Sequence, residues 1–205
     1  MNIFLFGTGG HAKVVADVVE RQGLHRIVGL VSEDGLAVPF DRYSVVASNA
    51  DFEKHLGPLN VEGAIVALGD CATRERLVRK IGRRLVFVTA VHPQAVIDSS
   101  ASIGPGTVVM AGVVVNAGAV IGSHCILNTG CSVDHDCQIG DFSHLAPGTR
   151  LAGHVSVGQG SFIGIGSSVI DRIRIGDHVS AGAGSVIVED VPPDKKVFGV
   201  PAREQ

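Results

Sequence analysis

From residue 91 onward the apolar positions keep a period that belongs to neither a helix nor an ordinary strand. An aliphatic side chain returns every six residues: Val91, Ile97, Ile103, Val109, Val115, Ile121, Leu127, Val133, Ile139, Leu145, Leu151, Val157, Ile163, Val169, Ile175, Ala181 and Ile187. Ala181 is the one weak member. Four residues after each lies a second column, running from Ala95 through Thr107, Cys125, Ser143, Ser161 and Val179 to Val191. Almost all of its members are small or β-branched. This double column is the hexapeptide signature of a parallel β-helix, in which each unit is a short strand and a turn. Three units close one triangular coil of 18 residues, with the large aliphatic inside the prism and the small residue at its corner. Gly104, Gly122, Gly140, Gly158 and Gly176 stand 18 apart. One corner of each coil therefore carries glycine, as positive φ or a close approach of chains requires.

The first half reads differently. "NIFLFGTGGHAKVVADVVERQG" is strand, glycine-rich turn and helix, with Val14, Val15, Val18 and Val19 as the apolar stripe. "RIVGLVSEDG", "SVVAS" and "GAIVALGD" are further strands, and "TRERLVRKIG" is a basic helix. Alternating strands and helices imply a small parallel α/β domain. The expected architecture is an α/β Rossmann-like half domain over residues 1–88, followed by a left-handed parallel β-helix over residues 89–205 with a C-terminal cap. Gly7, Gly9 and Ala12 fit G-x-G-x-x-G/A, and Glu33 and Asp34 close the second strand. Backbone N–H groups at a helix start favour phosphate. About 88 residues is too short for two mononucleotide-binding halves, so a nucleoside diphosphate fits better than a dinucleotide.

Composition narrows this picture. The net charge is −3 with no basic block, which argues against nucleic acid as the main partner. There is no apolar run of 18 residues and no charged leader before an apolar stretch, so a cytoplasmic protein without membrane insertion is expected. Cys71, Cys125, Cys131 and Cys137 form no C-x-x-C pair. Residues of a β-helix stack only at 18, so the last three lie on different sides and are expected to be free, packed thiols.

The stretches "GTGGHAKVV", "ALGDCATRERL", "NTGCSVDHDCQIGDFSHLAPGTRLAGHVSVG", "FIGIGSSV" and "GVPA" resemble the bacterial nucleotide-aminosugar N-acetyltransferases of the hexapeptide-repeat superfamily. These include the UDP-4-amino-sugar enzymes of bacillosamine synthesis and the perosamine N-acetyltransferases; the sialic acid O-acetyltransferases are similar. The resemblance covers nearly the whole chain. It implies a homotrimer with acetyl-CoA in the cleft between neighbouring prisms, no metal, and a nucleotide-sugar bound by the N-terminal domain. It implies His135 as general base with Asp136 as the acid that orients it, where the bacillosamine enzymes carry Glu. It further implies His144, Gly153, Ile165, Gly182 and Ala183 near acetyl-CoA, and Asn128 near the acceptor amine. Gly9, Gly10, His11 and Lys13 match the phosphate-binding turn, with Glu33, Asp34 and Gly69 also on the substrate side. Lys13 and Arg74 are candidates for the diphosphate.

Acetyl transfer from a thioester to an amine needs a proton acceptor and donors for the developing oxyanion. Histidine suits the first role, and a carboxylate on its other ring nitrogen, from Asp136 or Asp134, fixes the tautomer. One coil after His135 comes Gly153, whose missing Cβ is expected to leave a groove for a pantetheine arm. Asp136 stacks on His154. Three alternatives remain open at this point. One is O-acetylation of a sialic-acid-type hydroxyl. Another is a trimeric β-helix zinc enzyme using His135, His144 and His154. The third is a non-catalytic module that binds nucleotide-sugars.

Overall fold

The computed structural model describes residues 1–35 and 42–205. They divide into two units, Met1–Pro93 and Gln94–Gln205. Among the described residues, no helix is long and apolar enough to cross a membrane.

The first unit holds β1 (Asn2–Phe6), α1 (Gly10–Gln22), β2 (Arg26–Ser32), β3 (Val45–Ser48), β4 (Val61–Val66), α2 (Cys71–Ile81) and β5 (Val86–Phe87). Its sheet is parallel with strand order β3-β2-β1-β4-β5. The central strand carries Ile3, Phe4, Leu5 and Phe6, all fully buried, as a strand covered on both faces requires. Helix α1 buries Ala12, Val15, Ala16, Val18 and Val19. Val14, expected in that stripe, is 44% exposed. At about 100° per residue it falls on the far side of the helix, and Ala12 and Ala16 fill the stripe instead.

The second unit is the left-handed β-helix. Its two-residue strands stack in three parallel faces. One runs from Val96–Ile97 to Val186–Ile187, the next from Ser102–Ile103 to Arg174–Ile175. The third runs from Val108–Val109 to Ser180–Ala181 and is closed by Lys196–Gly199 and the antiparallel Ala202–Glu204. Through the coils the register is offset by 18, for example Ser132 with Arg150 and Val133 with Leu151; at the closing strand it shortens to 16, with Ser180 opposite Lys196. The aliphatic column fills the interior; Leu127, Val133, Leu145 and Ile163 are wholly buried.

The small column is also a donor column. The hydroxyls of Thr107, Ser143 and Ser161 donate to the carbonyls of Gly122, Gly158 and Gly176, at 2.7–2.8 Å. The thiols of Cys125 and Cys137 take the same place toward Gly140 and Ala152. All four cysteines are free and buried, and burial pushes the Cys131 thiol up to about 12. These are packed, unreactive thiols.

The two reasons offered for corner glycine separate onto different positions. Gly104, Gly122, Gly140, Gly158 and Gly176 do not have positive φ; they serve close approach. A Cβ on Gly140 would stand 2.6 Å from the backbone nitrogen of Gln159 in the next coil. Positive φ belongs to another column, recurring at every sixth residue from Gly106 to Gly184. Some members are glycine, but His124, Asp136, Phe142, His154, Arg172 and His178 also adopt it.

Gly140→Ala should therefore cost about 3 kcal/mol or more, because the clash is with backbone that cannot yield. Gly148→Ala, at φ +68° but facing open space, should cost only about 1 kcal/mol. Denaturant unfolding of the two variants measures the difference, and equal losses would remove the close-approach explanation.

Candidate functional site

Two places in the chain concentrate polar chemistry. The first is a corner of the prism between the Ser132–Val133 and Gln138–Ile139 strands. Asp136 sits in the left-handed region at φ 59°, which the turn demands and aspartate tolerates better than most residues. From there its carboxylate oxygen lies 2.9 Å from His135 Nδ1. Asp134 takes the other side: its Oδ1 accepts from the His135 backbone N–H at 2.8 Å and from Asn116 Nδ2, one coil earlier, at 2.9 Å. Of the two acids left open by the sequence, Asp136 holds the ring and Asp134 holds the backbone. The hydrogen bond with Asp136, first, and then the charges of Asp134 and Asp136 raise the His135 pKa; desolvation and Arg172 oppose them. With Nδ1–H committed to the carboxylate, Nε2 carries the lone pair.

Gly153 corrects an expectation. A Cβ there would stand 2.6 Å from His135 Nε2. The space left by the missing side chain is taken by the His135 ring itself, rather than standing open as a groove.

His144 lies elsewhere, on the third face, and is 7% exposed. Its Nε2 is 3.1 Å from Asn128 Nδ2, and the ring meets Phe162 edge-on at 5.2 Å. The Thr129 N–H donates to Asn128 Oδ1, so the Asn128 amide presents its NH₂ to His144. His144 Nε2 is thereby an acceptor, and its ring proton sits on Nδ1. His144, expected near acetyl-CoA, is largely covered within its own chain. Ile165, 56% exposed, and Ala183 lie one coil apart on the edge that also carries the open glycines Gly166 and Gly184. Gly182 is covered by the ring of Phe198. The expected cofactor residues thus fall on two edges and a face of the prism.

His135, Asp136 and His154 are the group of metal-capable side chains whose ligand atoms lie within 4.8 Å of one another among the described residues. His144 does not join them, so the three-histidine set of the zinc alternative is not assembled within one chain.

The second place is a cleft of about 360 Å³ at the carboxyl ends of β1, β2 and β4. Its walls include Gly7, Thr8 and Gly9, then Ser32, Glu33 and Asn49, then Thr73, Arg76 and Lys80 of α2. Gly9 caps α1 without a side-chain hydrogen bond. The helix start thus offers backbone N–H groups, as anion binding requires. Asn49 Oδ1 is buried with no hydrogen-bond partner among the described residues, an acceptor that a ligand N–H or O–H can satisfy. Of the expected substrate residues, Gly9 and Glu33 line the cleft; Gly10, His11, Lys13, Asp34 and Gly69 do not.

Arg74 is a further correction. The residue is 1% exposed, and its guanidinium donates to the carbonyls of Leu68 at 2.8 Å and Gly69 at 3.1 Å. It braces the turn after β4 rather than reaching a diphosphate. The cations that face the cleft are Arg76 and Lys80, which the sequence reading passed over. Thr73, Arg76 and Lys80 are spaced three and four apart, so helical periodicity alone places them on one face. His11 is held near pKa 4 by burial and, secondarily, by the charge of Arg74. It is therefore neutral at pH 7 and supplies no positive charge to an anion.

Residues 2–81 match the family described as the PglD N-terminal domain. The GDP-perosamine N-acetyltransferase of Caulobacter crescentus was crystallised as a histidine-to-alanine variant with CoA and GDP-perosamine. It is 37% identical, with TM-score 0.95, over 100% of this chain and 97% of that one. The acetyltransferase domain of PglB from Neisseria gonorrhoeae FA1090, solved with acetyl coenzyme A, is 33% identical. Its TM-score is 0.91 over 100% and 98% of the two chains. The UDP-N-acetylbacillosamine N-acetyltransferase of Bacillus subtilis (strain 168) is 34% identical over 121 residues. That match covers 54% of this chain and 51% of the relative, so it spans about half the length of this curated protein.

The depressed pKa of His11 has a measurable consequence. Between about pH 6.5 and pH 4 the unfolded chain binds a proton that the folded chain refuses, so stability falls as pH falls through this window. His11→Asn should flatten the dependence of Tm on pH there. An unchanged slope would assign the loss to other groups.

Proposed function

The chain belongs to the family of bacterial nucleotide-aminosugar N-acetyltransferases, and on that premise we propose that it transfers an acetyl group from acetyl-CoA to the amine of a nucleotide-linked 4-amino-4,6-dideoxy sugar. The observation that carries this reading is the 2.9 Å pair of His135 Nδ1 and Asp136, with Nε2 left as the proton acceptor. The amine nitrogen attacks the thioester carbon as His135 Nε2 takes its proton. Asp136 stabilises the imidazolium that forms. The tetrahedral adduct then collapses, the C–S bond breaks, and the departing sulfur recovers the proton from His135.

The cleft of the first unit suits the nucleotide part. The bare start of α1, with Arg76 and Lys80 opposite, favours a diphosphate, and Glu33 and Asn49 offer acceptors to ribose or base. On this reading the chain works in the cytoplasm.

A homotrimer accounts for the distribution of the remaining residues. His135 sits at a corner between the first and second faces, while His144 and Asn128 belong to the third. A site that uses both sets needs two copies of the chain, as in a cyclic trimer whose acetyl-CoA clefts lie between neighbouring prisms.

His135→Ala should lower kcat by roughly 10²-fold or more with oligomeric state unchanged. Because the imidazole acts only when neutral, kcat/KM of the unaltered enzyme should rise with pH through a pKa above the ordinary histidine value. Asp136→Asn removes the main cause of that elevation and should move the acid limb to lower pH while reducing the plateau. An acid limb that stays in place would exclude the pair as the titrating unit. Mixing His135→Ala chains with His144→Ala chains should restore about a quarter of the sites if each is shared by two neighbours. No restored activity would place each site within one chain.

A further inference from the structure

The corner that presents His135 holds a second imidazole to which the proposed acetyl transfer assigns no role. His154 lies one coil beyond Asp136 and shares its left-handed conformation, at φ 58°. Its backbone N–H donates to the His135 carbonyl at 3.0 Å. Its ring stands edge-on to that of His135, with centroids 5.0 Å apart and planes at 90°. His154 Nδ1 is 3.8 Å from the same Asp136 oxygen that His135 Nδ1 meets at 2.9 Å. One carboxylate is therefore flanked by two imidazoles, and all three side chains are about half exposed and free to adjust.

We propose that His135, Asp136 and His154 form a binding site for a zinc-class divalent cation, and that the bound cation inhibits acetyl transfer by occupying the base. Tetrahedral coordination with metal–ligand distances near 2.1 Å puts ligand atoms about 3.4 Å apart. The two distances to the Asp136 oxygen bracket that value, and all three ligand atoms lie within 4.8 Å of one another, so side-chain adjustment without movement of the backbone closes the site. Two imidazoles and one carboxylate favour zinc, nickel or copper over magnesium or calcium. The fourth position is open to water. Asp134 adds negative charge beside the ligands through its contact with the His135 backbone. Arg172, one coil beyond His154, opposes it and is itself engaged with Asp171 at 3.6 Å.

Inhibition follows from the tautomer. Metal on His135 Nδ1 takes the lone pair there, so the neutral ring carries its proton on Nε2 and can no longer accept one from an amine. The inhibition rests on the acetyl-transfer reading; the binding does not.

The test is calorimetric titration of the untagged, CoA-free protein with zinc and, separately, magnesium. It is paired with acetylated sugar measured by mass, because released CoA thiol would itself sequester zinc. The unaltered protein should bind one zinc per chain and no magnesium, and zinc should stop acetyl transfer until a chelator is added. His154→Asn keeps a side chain that tolerates the left-handed turn, so the fold should survive, with Tm unchanged. It should keep basal turnover, bind zinc at least about tenfold more weakly and need correspondingly more zinc for half-inhibition. No heat with zinc, or equal zinc affinity in His154→Asn, would overturn the site. Zinc bound with turnover unaffected would overturn the inhibition. Zinc bound by a protein that acetylates no amino sugar would instead count against the acetyltransferase reading and leave the site standing.

Discussion

One hydrogen bond, repeated from corner to corner along most of the prism, holds the second unit together. From His124 to Gly184 the N–H of each left-handed corner residue donates to the carbonyl 19 residues earlier, as Asp136 to Ala117, Gly148 to Thr129 and His154 to His135; the N–H of Gly118 goes to the Ser100 hydroxyl instead. The corner bond can form only if the chain turns with positive φ at that residue, and only if the next coil lies directly above. The strand pairs between corners are two residues long, too short to set a register alone. The corner bond and the buried donor column beneath it, in which Ser143 reaches Gly158 and Ser161 reaches Gly176, lock every coil to the next. A buried carbonyl left without that donor would cost about 1–3 kcal/mol, which is why the small column is rich in hydroxyls and thiols as well as merely small.

The proposed chemistry borrows this scaffold. A corner usually asks for glycine, yet positions 136 and 154 carry aspartate and histidine in the left-handed conformation. Each accepts some backbone strain, and in return the side chain is aimed outward at a fixed height on a rigid stack. The turn carries Asp136 to the corner beside the His135 ring, and its side-chain torsions complete the 2.9 Å contact. Gly153 completes the arrangement by giving the ring a place to lie. The position is consequently reproducible to a degree that a surface loop would not provide.

The first unit works by the opposite strategy. Its polar residues are collected at the carboxyl ends of parallel strands, where the loops β1–α1 and β4–α2 meet. Here a charged residue can serve the frame rather than a ligand. Arg74 is the clearest case: it lies in the same helix as Arg76 and Lys80, but helical geometry turns it inward onto two carbonyls while they face the cleft. Burial, reinforced by the charge of Arg74, keeps His11 neutral, so two residues that look cationic in the sequence bring no charge to the cleft.

The repeat alone was enough to establish the prism, its inward column and the stacking of residues 18 apart, because a β-helix has no freedom of register once its period is kept. Stacking Asp136 on His154 followed from the same arithmetic, whereas pairing His135 with Asp136 came from the family resemblance. What periodicity does not encode is direction. Whether Asp134 or Asp136 takes the ring, whether the space over Gly153 is open or filled, and whether Phe198 covers Gly182 depend on side-chain torsions and on chain returning from far along the sequence. The same limit explains Arg74 and His144, whose burial is decided by neighbours brought in from other coils and strands. A one-dimensional pattern specifies which residues share a level of the stack; only the packed structure decides which of them meet.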